Sequence, residues 1–197
     1  MDYKNFRSCF IDYKSIKEKA DVFRKKYCGN IIPVDIEKTI EKIGIDIIPI
    51  PSLENFCNTD AFITSDWNSI YVDNEKYMDD RYYNRLRFSL AHELGHLLLH
   101  KSVYESLGIL NFEDYYRFLL EVVGIEYGKI ETQANKFAGF LLMPPEILKS
   151  ERNNIVKKYD ELKSIDPKQI NSYIAGQLAK KFGVSAEAME IALNNEN

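Results

Sequence analysis

Every histidine of this chain falls inside one nine-residue window, as His92, His96 and His100, within an otherwise apolar stretch. With Glu93 they read His92-Glu93-Leu94-Gly95-His96, the H-E-x-x-H pattern. On a helix, residues four apart share a face, with Cβ atoms about 5–6 Å apart. Two imidazoles can then reach one ion at zinc–nitrogen distances of about 2.0–2.1 Å. Glu93 is turned toward the same cleft as a candidate general base. Plotted at about 100° per residue, Tyr83, Leu86, Leu90, Leu94 and Leu97 form a core stripe, and Phe88 and Leu99 cover much of the rest. Ser89, His92, Glu93, His96 and His100 share the opposite arc. A helix this apolar is buried on most faces. Its one polar arc must line a cleft or satisfy itself internally, because buried imidazoles and carboxylates need partners. H-E-x-x-H alone also arises by chance on surface helices, and the apolar setting argues against that origin here.

Catalytic zinc usually takes three protein ligands and keeps a position for water. A third histidine ten residues after the first is one solution, but position 102 is serine. A glutamate on a second helix is the other. Between 128 and 142 the apolar stripe is Ile130, Ala134, Phe137, Ala138, Leu141 and Leu142. Glu131 falls inside it, whereas Thr132, Gln133 and Lys136 fall outside. A carboxylate on a buried face is costly unless paired or bound to a cation, so Glu131 is the expected third ligand. An internal salt bridge is the other use for it, and Glu105, Glu113, Glu121 and Glu126 are rivals with weaker placement. Asn135, one turn on, is placed to hydrogen-bond a ligand histidine from behind. His100 lies about 12 Å along the axis from His92, so the two cannot share an ion. A His96/His100 pair would be followed by Leu97, which offers no base. His100 therefore reads as a supporting or pocket residue, or as the polar end of the helix.

The rest of the chain predicts an α+β fold, a small three-stranded, antiparallel sheet on a mostly helical body. Ser15 to Lys26 reads as an amphipathic helix with Ile16, Ala20 and Phe23 on one face. Pro33 opens a second helix that ends at Gly44. Ile45 to Ile50 is a strand, and Ala61–Thr64 and Ser69–Val72 form a hairpin across Ser65-Asp66-Trp67-Asn68. Helices are expected at 80–100, near 113–123, and at 128–142, 144–158, 167–182 and 185–194. One domain spans 1–197, with 1–30 as a helical extension and 165–195 as a C-terminal helical pair. No apolar run approaches the roughly 20 residues of a membrane span, and Met1 to Lys19 lacks the apolar core of a secretory signal. Three scattered cysteines suit a reducing cytoplasm and free, at least half-buried thiols better than a disulfide framework. The net charge of −4 gives no basic footprint for nucleic acid.

The stretch Arg87-Phe88-Ser89-Leu90-Ala91-His92-Glu93-Leu94-Gly95-His96-Leu97-Leu98-Leu99-His100 resembles the core of the ImmA/IrrE-type metallopeptidases. Glu131-Thr132-Gln133-Ala134-Asn135-Lys136-Phe137-Ala138, followed by Leu141-Leu142-Met143-Pro144, resembles their second conserved segment. With the helix–Gly44–strand opening and Phe182-Gly183-Val184-Ser185, the likeness covers residues 30–195. It implies one catalytic zinc on His92, His96 and Glu131, with Glu93 as base. It also implies a protein substrate of the helix-turn-helix repressor class, whose cleavage derepresses genes of a mobile element or a stress response. Zinc is favoured by ligand type, although manganese or iron can occupy such sites. Tyr82, Tyr83, Tyr104, Tyr115 and Tyr116 are all candidates to stabilise an oxyanion. An extended substrate could pair with the Ser69–Val72 strand if that strand is a free edge. Two rivals remain. One is a zinc-stabilised module that sequesters a repressor without cutting it. The other is a DNA reader built on 177–193. Its would-be reading helix, Ser185 to Ala192, carries two glutamates and no lysine or arginine, which opposes binding to phosphates.

Overall fold

The computed structural model describes residues 7–158 and 166–195, so residues 1–6 of the expected N-terminal extension, residue 165 of the C-terminal pair and residues 196–197 lie outside it. α1 (Tyr13–Phe23) starts where Asp12 accepts the Ser15 N–H, and it buries Ile16, Ala20 and Phe23. A π-helical turn, Arg24–Cys28, carries it to Gly29. α2 (Ile36–Lys42) begins later than its proline suggests. Asp35 caps it by accepting the Lys38 N–H, and Pro33 stays in the approach segment.

The sheet corrects one expectation. β1 (Asp46–Ile50) pairs parallel with β3 (Ser69–Asp73), and only β2 (Ala61–Ile63) pairs antiparallel with β3. The order is β1-β3-β2. The hairpin forms as expected, but α3 (Leu53–Cys57) turns the chain back after β1, so β3 slots between the two earlier strands. Burial fixes this packing: Leu53 is fully buried and the Glu54 N–H donates to Asp73 Oδ2 at 3.0 Å. β1, as an edge strand, tolerates Pro49, whose missing N–H breaks no ladder. β3 is central, so the condition for docking a peptide on Ser69–Val72 is not met. The other edge strand, β2, is wholly buried against the helical body.

A short α4 (Asn74–Tyr77) and a 3₁₀ turn (Asp80–Tyr82) lead into α5 (Tyr83–Leu99). Leu86, Leu90 and Leu94 of its stripe are buried, whereas Tyr83 is 49% exposed, so the stripe starts a turn later than expected. α5 ends at Leu99, where the helix expected at 80–100 stops, and at His100 the chain turns into α6 (Lys101–Leu107), which was not expected. α7 (Phe112–Glu121) and α8 (Gly124–Leu142) follow. α8 lies along α5, and at their closest approach a Cβ on Gly95 would stand 3.0 Å from the Ala134 Cα. α9 (Pro145–Lys158) precedes α10 (Pro167–Phe182) and α11 (Ala186–Asn195). The last two meet at Gly183, which takes a left-handed conformation and whose carbonyl accepts from Arg87 Nε at 2.9 Å, tying the pair to α5. Among the described residues no helix is long and apolar enough to cross a membrane. All three cysteines are free, but Cys9 is exposed rather than half-buried.

Candidate metal centre

α5 and α8 bring the expected ligands together. His92 Nε2 and His96 Nε2 lie 3.0 Å apart. Glu131 approaches from α8, with Oε2 3.2 Å from His92 Nε2 and Oε1 3.1 Å from His96 Nε2. These separations of 3.0, 3.2 and 3.1 Å are close to the roughly 3.3 Å between donors held about 2.0–2.1 Å from one tetrahedral zinc. The rival glutamates are elsewhere. Glu105 accepts from Trp67 Nε1, Glu126 is bound to Ser8 and Lys129, and Glu113 and Glu121 are exposed.

Hydrogen bonds behind the two imidazoles decide which of their nitrogens are bare. His92 Nδ1 donates to Asn135 Oδ1 at 2.8 Å. His96 Nδ1 faces His100 Nδ1 at 3.1 Å, and His100 Nε2 donates to Gln133 Oε1 at 3.0 Å. Gln133 is oriented in turn by donating Nε2 to the Cys9 carbonyl at 3.0 Å. Burial pushes His100 down to about 4, so the ring is neutral and its Nδ1 accepts from His96. His96 therefore turns an unprotonated Nε2 toward the Glu131 carboxylate, and His92, whose Nδ1–H is given to Asn135, does the same once a cation displaces the proton that Glu131 favours on its Nε2. Glu131 Oε1 is buried with no hydrogen-bond partner, because the nitrogen facing it is also an acceptor. Such a convergence of lone pairs fits a cation.

The charges agree with that reading. Burial drives the Glu131 carboxyl upward, but the two imidazoles outweigh it and hold the group well below the usual carboxylate range. Burial disfavours charge on His92, yet Glu131 beside it raises the imidazole to about 9. The site thus draws positive charge, a proton included. His96, fully enclosed, is pushed down by burial in spite of Glu131. Glu93 points across the cleft to β2, where its Oε2 accepts the Ile63 N–H at 2.9 Å. Burial raises its carboxyl to about 8, with Glu131 adding to the rise and His92 opposing it.

Sequence reasoning placed His92, Glu93, His96, Glu131, Asn135 and His100 in one neighbourhood, and all six are there. It missed Gln133, read as lying off the buried face. Gln133 is 6% exposed, and the signal was available: Ile130 three residues before and Phe137 four after are both buried stripe positions. It also could not choose among tyrosines. The structure seats Tyr104 against His96, with ring centroids 4.7 Å apart, and Trp67 against Tyr104 at 5.7 Å. Tyr115 instead stacks on Phe62 and faces the Tyr127 hydroxyl, while Tyr82, Tyr83 and Tyr116 are exposed.

A cleft of about 190 Å³ opens beside this cluster, between residues 58–61 and the Arg85–His92 face of α5. On its wall Asp60 accepts from Arg85 Nε at 2.5 Å and Nη2 at 2.9 Å, and from the buried Lys76 ammonium. Residues 82–194, more than half of the chain, match the model of the IrrE N-terminal-like domain, Peptidase_M78. No curated protein matches the chain. The match begins well after residue 30, where the sequence resemblance starts.

Proposed function

This chain belongs to the IrrE N-terminal-like peptidase family, and we propose that it is a zinc-dependent endopeptidase acting on a protein of the helix-turn-helix repressor class. The observation that carries the reading is the convergence of the His92 and His96 Nε2 atoms on the Glu131 carboxylate, one buried oxygen of which has no hydrogen-bond partner, with Glu93 beside them. His92, His96 and Glu131 would hold the ion. When bound, zinc supplies Lewis acidity toward a peptide carbonyl and toward water.

The chain's own groups supply the rest. Glu93 takes the proton of the attacking water and delivers it to the leaving amine. Its bond to the Ile63 N–H fixes one carboxylate oxygen and leaves Oε1 for the proton. Asn135 and the His100–Gln133 relay hold the ligand imidazoles in the required tautomer. The cleft between residues 58–61 and the Arg85–His92 face of α5 offers the polypeptide a place to lie. Strand alternation turns the peptide groups of Ala61 and Ile63 away from β3, since Asp60 and Thr64 bond to β3. The Ile63 N–H is held by Glu93 and the Ala61 carbonyl by the Thr59 hydroxyl, so an extended substrate lies in the cleft alongside Ala61, close to Glu93, rather than completing a ladder along β2. The substrate class rests on the likeness to the ImmA/IrrE-type peptidases.

The test is to incubate zinc-loaded wild type and Glu93→Gln with a helix-turn-helix repressor encoded beside the gene, reading fragment masses. A single cut made by wild type and lost by at least about a thousandfold in Glu93→Gln is expected, because the base is removed. Equal cutting by both forms refutes the role of Glu93. An uncut repressor that binds both forms equally would replace the peptidase by a sequestering module.

A further inference from the structure

The cleft does not end at the ligand cluster. Asp60, Arg85, Phe88, Ser89 and Asn135 line both it and a larger groove of about 720 Å³ that runs between α8, α9 and α11. Asn135 marks the junction, since the residue that holds His92 also forms the near wall of the groove. Beyond it the floor is apolar, made by Phe88, Phe140, Met143, Leu148 and Ile191. Ile191 is 57% exposed, a large aliphatic side chain on α11 that the core does not need. Ser185 just before α11, Glu187 of α11 and Lys136 of α8 line the same groove and are exposed, with charges of both signs.

Gly139 lies on this floor, one turn after Asn135. A Cβ there would meet nothing within 4 Å, and its φ is not in the left-handed region. Neither close packing nor backbone conformation therefore calls for glycine. In a helix interior it costs about 1 kcal/mol relative to alanine. What its bare Cα does provide is depth in the groove.

We infer that this groove is the part of the substrate site that receives bulky apolar side chains on one side of the scissile bond, with Gly139 keeping its floor open. The inference rests on the peptidase reading and names the occupant, a polypeptide segment that continues from the cleft beside Ala61 past His92. Continuity with the catalytic cleft selects this occupant. Its volume, well beyond that of one side chain and within the range of ligand pockets, selects a segment with more than one apolar residue.

The probe is a randomised dodecapeptide library, presented to the zinc-loaded full chain. Cleavage positions are read by mass spectrometry for wild type, Gly139→Leu and Glu93→Gln. Retention of peptides is read for Glu93→Gln with and without Gly139→Leu. Wild type is expected to select Leu, Ile, Met or Phe on one side of the cut. Gly139→Leu, which fills the floor, is expected to lose roughly ten- to hundredfold on those peptides while still cutting ones with small residues there. Cutting by wild type without an apolar preference, or a preference unchanged in Gly139→Leu, overturns the groove and leaves the peptidase reading standing. No cutting by wild type would count against the peptidase reading alone. Retention of apolar peptides by Glu93→Gln, weakened by Gly139→Leu, would then still support the groove, and absence of that retention would overturn it.

Discussion

Gly95 lies inside the metal-binding motif, yet the structure gives it a packing role that can be measured. A Cβ at this position would stand 3.0 Å from the Ala134 Cα, 3.1 Å from its carbonyl oxygen and 3.3 Å from its Cβ. Carbon atoms settle at about 3.5–4.0 Å, so Gly95→Ala must push α5 and α8 apart by about half an ångström. Two of the three atoms are backbone and cannot rotate aside. Overpacking of this kind costs about 1–3 kcal/mol, and the better helix propensity of alanine returns about 1 kcal/mol. The net loss of stability is then about 0–2 kcal/mol. The effect on metal is expected to be the larger one, because Glu131 sits one turn before Ala134 on the displaced helix. Ligand distances tolerate only about ±0.2 Å, so zinc affinity should fall about 10- to 100-fold, the range seen when the surroundings of a ligand are disturbed. Chelator competition gives the affinity, and thermal unfolding with and without zinc gives the stability. Gly128→Ala is the control: it lies on the same helix with nothing within 4 Å of its Cβ, and it should gain about 0.5–1 kcal/mol. Ala134→Gly should not rescue Gly95→Ala, since the closest atoms remain. Gly95→Ala protein that binds zinc as tightly as wild type would refute the close-approach argument.

Two further outcomes follow from the surroundings of the site. Replacing His100 by Ala frees His96 Nδ1 from its acceptor, and replacing Asn135 by Ala does the same for His92. Each should weaken zinc by about 10- to 100-fold with little change in the far-ultraviolet spectrum, and undiminished affinity in both would show that the ligands orient themselves. Burial pushes the Asp60 carboxyl up, but hydrogen bonds and charge from Lys76 and Arg85 outweigh it and hold it below its ordinary 3.8. Its folded value is thus depressed, so its stabilisation is fully present above about pH 4 and is lost as pH falls through the folded value. Asp60→Asn should cost about 1.5–3 kcal/mol at neutral pH, since the buried Lys76 loses one of its two carboxylate partners and keeps Glu54, with the deficit shrinking in acid. Urea unfolding from pH 3 to 7 reads this, and a deficit that stays constant with pH would remove Asp60 as the acid-labile group.

The ligand cluster was legible in the sequence because its logic is local. Four-residue spacing on α5 and a carboxylate inside an apolar stripe on α8 each follow from one helix at a time. The features that escaped depend on how elements meet. The parallel pairing of β1 with β3 comes from the turn at α3 and the burial of Leu53, which no alternation in 45–50 reports. Gln133 was misassigned because the angular plot set the edge of the stripe at Ala134, although Gln133 faces His100 from across the helix pair. The short helix α6 was not expected, because its seven residues bury only Tyr104 and Leu107 and so show no stripe. The closeness of Gly95 to Ala134 needs both backbones in place, and a glycine between two ligand histidines carries no mark of it in sequence.

The tilted ring contacts of Trp67 with Tyr104, and of Tyr104 with His96, also make the molecule its own optical instrument. Trp67 is the one tryptophan of the chain, and the only imidazoles belong to the ligand pair and to His100 behind it. Intrinsic emission on excitation of indole therefore reports on a single neighbourhood. Every histidine ring resonance does the same, with no background from elsewhere in the chain. Loading and removal of an ion can be followed in unlabelled protein by light at one end of this row of rings and by magnetic resonance at the other.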